Sequence, residues 1–179
     1  MRYRRDRTPG GTYFFTVVTD GRAPLFSDAV CIDLLRASFR SVRERHPFII
    51  DAIVVLPDHL HTIWTLPKTD DDYVTRWGLI KATFARNCPA EFKRKPDAAR
   101  TRRRETAIWQ RRYWEHRIRD ERDLAAHIDY IHWNPVKHGY AQAASDWAHS
   151  SFHSFVRKGI YPPSWASTDT CLATSGPDD

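Results

Sequence analysis

Cysteine is scarce. Cys31, Cys88 and Cys171 are the three in 179 residues, odd in number and widely spaced. They fit reduced thiols and argue against a disulfide framework or a zinc module built on paired cysteines. No apolar run approaches the length of a membrane span, and residues 1–5 (MRYRR) lack the apolar stretch of a secretion signal, so a soluble cytoplasmic protein is expected. No internal repeat is apparent. Acidic residues are the minority, 22 Asp+Glu against 28 Lys+Arg, and leave a net charge of +6. That excess favours a polyanionic partner without proving one. The length suits one domain with a real core, expected over residues 1–166. Within it, 91–105 reads as a basic loop and 137–166 as a docked C-terminal tail. Residues 167–179 read as a flexible terminus.

What is present centres on residues 49–66, IIDAIVVLPDHLHTIWTL. Two β-branched, apolar runs flank Pro57-Asp58, which predicts a β-hairpin. Side chains alternate along a strand, so His59 and His61 share one face and Leu60 takes the other. Two imidazoles so placed can grip one divalent metal ion. An HxH pair alone fits an ordinary hairpin equally well.

Around this hairpin the pattern reads β-α-β-β-α-β-α. Residues 12–19 (TYFFTVVT) form a first strand, and Ser27 is placed as N-cap of a helix over 29–45. Asp70, Asp71 and Asp72 put negative charge at the start of a helix over 73–87, with Trp77, Ile80, Ala82 and Phe84 toward a sheet. Residues 107–118 are assigned as the fourth strand. Asp120 starts a last helix that should end at Asn134, because Pro135 follows. The order predicts an α+β, ferredoxin-like split βαβ with an antiparallel sheet, helices on one face, an extra C-terminal helix and an irregular tail.

The last helix carries Asp129-Tyr130-Ile131-His132-Trp133-Asn134-Pro135. Tyr130 and Asn134 are one turn apart on one face, and Leu124, Ile128 and Ile131 form an adjoining apolar stripe. Taken alone, such a pair merely edges a packed helix. Combined with His59 and His61, the Asn134 amide oxygen completes an open three-ligand metal site, and the Tyr130 phenol would stand beside a bound phosphate as nucleophile. Residues 91–119 hold eleven Lys/Arg against four Asp/Glu, a local excess above that of the whole chain. Such a run neutralises phosphates. Arg102, Arg103, Arg104, Arg111 and Arg112 are its candidate DNA contacts, with Arg2, Arg4 and Arg5 as a basic arm. Trp109, Tyr113 and Trp114 are interleaved and suit base stacking, although Trp109 and Trp114 read better as core. Asp58 is a candidate to orient His59 or to shape the turn. His116, His127, His132 and His138 are candidate proton shuttles that nothing in the sequence ranks.

The combination PDHLHTIW, WQRRYWEHRIRDERD, HIDYIHWNPVKHG and SDWAHSSFHSF resembles the REP-associated tyrosine transposases, single-tyrosine HUH-type proteins related to single-strand insertion-sequence transposases. The resemblance runs over residues 3–165. It implies His59, His61 and Asn134 as ligands of Mg2+ or Mn2+ and Tyr130 as catalytic residue. It implies cleavage and rejoining of single-stranded DNA beside a hairpin, at repetitive extragenic palindromes, through a 5′-phosphotyrosine. A nucleoid-associated monomer is the expected form. The Arg-rich 91–105 stretch is longer than the family pattern. Two alternatives stay open on the residues: a phosphodiesterase using metal-activated water, and a non-catalytic DNA-hairpin-binding protein.

Overall fold

β-Branched and aromatic residues carry β1 (Thr12–Val18), β2 (Ile49–Val55) and β3 (His59–Thr65) into one antiparallel sheet. A short edge strand, β4 (Trp114–Arg117), completes it in the order β2-β3-β1-β4. The computed structural model describes residues 6–102 and 106–166, with Ala99 as backbone only. The order and the two split βαβ units make the fold ferredoxin-like.

One face of the sheet carries Tyr13, Phe15, Val17, Leu60 and Trp64, covered by α1 (Ala29–Arg45) and α2 (Tyr73–Asn87). Trp64 is fully buried, stacked on Trp77 with ring centroids 4.2 Å apart and against Phe48 at 4.1 Å. Arg76 of α2 is buried too, and its guanidinium is satisfied by both oxygens of Asp70 and by the carbonyls of His46, Pro47 and Asp72. That network pins the start of α2 to the approach to β2. Within α2, Ala85 rather than Ala82 turns inward; Ala82 is exposed. The thiols of Cys31 and Cys88 are free and buried, and Cys171 lies outside the described residues.

The opposite face carries Phe14, Ala52, Val54 and Ile63 and is covered by α4 (Glu121–Lys137), which buries Tyr130 and Ile131 against it. The last helix therefore does not join the other two, and the sheet is covered on both sides. Four boundaries differ from the sequence reading. Asp28, not Ser27, caps α1, because its carboxylate reaches the Val30 N–H at 2.8 Å while Ser27 closes a 3-10 turn. Helix α4 runs through Pro135 to Lys137: burial of Asn134 and Pro135 outweighs the missing N–H, and His138 N–H to Asn134 O (3.0 Å) closes the turn. Only residues 114–117 pair as a ladder, since 107–109 turn Ala107, Ile108 and Trp109 into the core and leave one bridge to Thr19. The basic loop is partly ordered, with α3 (Ala98–Arg102) and an Arg94–Ala107 bridge, and Arg100 ion-pairs with Asp20.

The tail seals the β2 edge. Val55 N–H donates to His149 O, the backbones of Ile53 and Ser151 meet at 2.8 Å, and Trp147 Nε1–H donates to Val55 O. Beyond it comes α5 (Phe152–Arg157), whose Phe152 stacks with Tyr161 and Trp165, and the Tyr161 hydroxyl donates to Asp129. Among the described residues no helix is long and apolar enough to cross a membrane.

His132 links α4 to the tail, its Nε2 2.8 Å from Ser151 Oγ. Burial pushes this imidazole down to about 4. The folded protein thus stays neutral there while the unfolded chain takes up a proton below about 6.5. The resulting stability is fully present above that pH and is lost as pH falls toward 4, by about 3 kcal/mol. Urea unfolding across this window should show His132→Gln with a slope shallower by one proton than the parent.

Candidate active site

Strand alternation puts His59 and His61 on the α4 side of β3, where both are buried. Each imidazole is anchored through Nδ1. His59 Nδ1–H donates to Asp58 Oδ1 at 2.6 Å, and Arg22 holds the other oxygen of that carboxylate at 3.2 Å. Burial acts to raise the Asp58 carboxyl, but the hydrogen bond and charge of His59, then those of Arg22, outweigh it and hold it below the usual range. His61 Nδ1 pairs with Thr16 Oγ1 at 2.9 Å, directly across the β1–β3 ladder. Burial, with the charges of His59, His138, Lys137 and Arg22, holds His61 well below its ordinary range. It is neutral near pH 7. Its Nε2 is buried with no hydrogen-bond partner.

Helix α4 crosses above this pair. The Tyr130 ring lies edge-on to His61 at 5.3 Å, and Phe14 packs against both, stacked on His61 at 5.5 Å and edge-on to Tyr130 at 6.0 Å. Two helical turns on, the His138 ring meets His59 at 5.6 Å. Asn134 lies between these two contacts on the same face, fully buried, with Oδ1 and Nδ2 both lacking hydrogen-bond partners. Lys137 Nζ stands 4.9 Å from the Tyr130 ring centroid.

This set fits a divalent ion. The Nδ1 partners leave each imidazole's Nε2 available, as second-shell hydrogen bonds do for ligating histidines. The orphaned His61 Nε2 and Asn134 Oδ1 are buried acceptors that nothing in the protein satisfies, a costly state that a cation would relieve. Mixed imidazole and amide oxygen donors suit Mg2+ or Mn2+ less selectively than carboxylates would.

A second constellation lies on the same face. His116 Nε2 is 2.9 Å from Asp123 Oδ2, while His127 Nδ1 is 2.8 Å from Asp123 O and 3.0 Å from its Oδ1. The three ligand atoms fall within 4.8 Å of one another. Burial acts to raise the Asp123 carboxyl, but hydrogen bonds from His116 and the Arg119 N–H, with both imidazoles nearby, hold it below the usual range. Every oxygen of this carboxylate is occupied, so it works as a clamp on two rings. The sequence showed His116 and His127 without ranking them. The one signal was Asp123 four residues before His127.

Of the candidate DNA contacts, Arg102, Arg111 and Arg112 are exposed. Arg2, Arg4, Arg5, Arg103 and Arg104 lie outside the described residues. Arg111 also lines a cavity of about 490 Å3 beside α2 with Lys81, Arg86, Lys93 and Arg100, on the far side of the sheet from Tyr130. Trp109 is core, whereas Trp114 is 48% exposed, contrary to its reading as core.

A ferredoxin-like sheet with a histidine pair on its middle strand and a tyrosine helix laid across it is the architecture of a tyrosine transposase. No family model matches the chain. It is 43% identical over 169 residues to the REP-associated tyrosine transposase of Escherichia coli K12, covering 94% of this chain and 92% of that protein. A Haemophilus influenzae relative assigned to the same family is 47% identical over 163 residues, 91% of this chain and 92% of the relative. A solved structure of a REP-associated tyrosine transposase bound to a REP hairpin superposes with a TM-score of 0.80 at 41% identity, covering 97% of this chain and 95% of that one. The chain belongs to the REP-associated tyrosine transposases and is an enzyme of the tyrosine transposase and DNA-nicking type.

Replacing Thr16 by Val keeps the shape of the strand but strips His61 Nδ1 of its partner. Equilibrium urea unfolding should show a loss of about 1–3 kcal/mol, the cost of one unsatisfied buried polar group.

Proposed function

We propose that this chain cleaves and rejoins single-stranded DNA beside a hairpin-forming palindrome, with Tyr130 as nucleophile and His59, His61 and Asn134 as ligands of Mg2+ or Mn2+. The observation that carries the reading is the meeting of Tyr130 with His61 at 5.3 Å, one helical turn before an Asn134 amide that is buried and unpaired. Support for the palindrome comes from the relative whose structure holds a REP hairpin.

In the reaction, Tyr130 Oη attacks the scissile phosphorus. The Oη–P bond forms as the P–O3′ bond breaks, giving a 5′-phosphotyrosine and a free 3′-hydroxyl that ends with the phenol's proton. Rejoining is the reverse attack by a 3′-hydroxyl. The Lys137 ammonium, 4.9 Å from the ring centroid, offers counter-charge as the phenol oxygen loses its proton. Phe14 packs against both rings and limits their movement. A divalent ion held by the two imidazoles and the amide would polarise the phosphate and offset charge building on its oxygens. Asp58 and Thr16 act through His59 and His61 as positioning residues. Arg102, Arg111 and Arg112, with Arg2, Arg4, Arg5, Arg103 and Arg104, would neutralise backbone phosphates, a salt-dependent contribution without sequence information. All four chemical residues come from one chain, so a monomer suffices, working on chromosomal DNA in the cytoplasm.

The direct test incubates the protein with a single-stranded palindrome oligonucleotide and Mn2+ and looks for a covalent adduct on a denaturing gel. Tyr130→Phe removes only the nucleophilic oxygen, and both adduct and cleavage should fall by several orders of magnitude. Undiminished cleavage in that variant, or cleavage without adduct in the parent, would sink the mechanism in favour of activated water. Separately, Asp58→Asn should weaken Mn2+ binding roughly 10–100-fold by calorimetric titration, the usual effect of losing a ligand's hydrogen-bond partner. Unchanged affinity would remove His59 from the ligand set.

A further inference from the structure

We propose that Trp114 is a stacking platform for an unpaired base of the DNA strand beside the scissile phosphate; this rests on reading the chain as a single-strand DNA nickase. Trp114 is 48% exposed, although an indole is ordinarily worth burying. Its position in the sheet is what gives the exposure meaning. Trp114 stands opposite Thr16, and Thr16 stands opposite His61, so the three form one row across β4, β1 and β3. Two interstrand spacings, about 10 Å, separate Trp114 from His61 along that row. They share a sheet face, the one that Tyr130 overlies. A strand whose phosphate reaches Tyr130 passes this indole with its next bases.

The ring is also pre-positioned. His116 stacks parallel to it at 5.9 Å and 6°, and His127 continues the stack at 4.7 Å and 12°. Asp123 bonds to both imidazoles, and the stack is rooted on α4 through His127, three residues before Tyr130. Phe14 meets the indole edge-on at 5.6 Å, the same Phe14 that packs on His61 and Tyr130. An indole held this way loses little freedom when a base lands on it. Exposed Arg112 and Arg119 flank it in the chain, which suits a polyanionic strand with flat π-faces better than an apolar protein partner. Every base has such a face, so the platform would tolerate sequence and select for unpaired nucleotides.

The test compares binding, by fluorescence anisotropy, of a hairpin with an unpaired flank and the same hairpin without it. Trp114→Ala should weaken the flanked hairpin on the order of tenfold, and Trp114→Phe should recover most of that loss because it keeps a ring. The unflanked hairpin should respond to neither change. Abasic nucleotides in the flank should reproduce the loss in the parent protein and abolish its sensitivity to Trp114→Ala. If the parent forms the Tyr130 adduct while Trp114→Ala binds both hairpins as the parent does, or loses the same factor for both, the stacking role is overturned and the nickase reading stands. If the parent forms no adduct, both fall together.

Discussion

Strand β3 is buried on both faces from His59 to Trp64, because α1 and α2 cover one side of the sheet and α4 the other. A middle strand in that position has no solvent to which it can send a polar side chain. Two imidazoles there cost free energy unless each finds a partner. Both are fixed through Nδ1, His59 by Asp58 on the hairpin turn and His61 by Thr16 on the neighbouring strand. The remaining nitrogens face the helix. The burden of burying two histidines is thereby converted into a rigid pair aimed at α4.

That arrangement has meaning only if α4 is set at the right rotation, since each residue along a helix turns about 100°. Three separate contacts fix it. Phe14 and Ile63 meet Tyr130 and Ile131 from below, and the Asp123 clamp ties the first turn to β4 through His116. From behind, the tail holds Asp129 through Tyr161 and His132 through Ser151. The same tail covers the open edge of β2, so one segment closes the sheet and steadies the helix that brings Tyr130 and Asn134 to the histidines.

The basic segment is less of a free tether than its composition implies. Arg100 folds back onto Asp20 and onto the backbone carbonyls of Thr106 and Trp109, which spends one cation on structure. Others, including Arg111 and Arg112, stay exposed at the approach to β4. Exposed positive charge and the exposed indole of Trp114 thus occur together beside β4.

Much of this was legible in the sequence because it is local. A period of two placed His59 and His61 on one face, and a period near 3.6 placed Tyr130 and Asn134 one turn apart. The element order and the resemblance of four stretches then gave the ferredoxin-like sheet and the transposase family, which the relatives bear out. What the sequence left undetermined depends on segments far apart in the chain. Helix α4 passes Pro135 because burial of its neighbours outweighs a local penalty. Trp109 and Trp114 look alike in sequence, yet one turns into the core and the other out on an edge strand, according to which residues pair with β1. The sequence determined which chemical groups exist and which share a local face. Tertiary packing alone decided that β3 and α4 oppose one another, because that contact is set by the two sides of one sheet being covered at once.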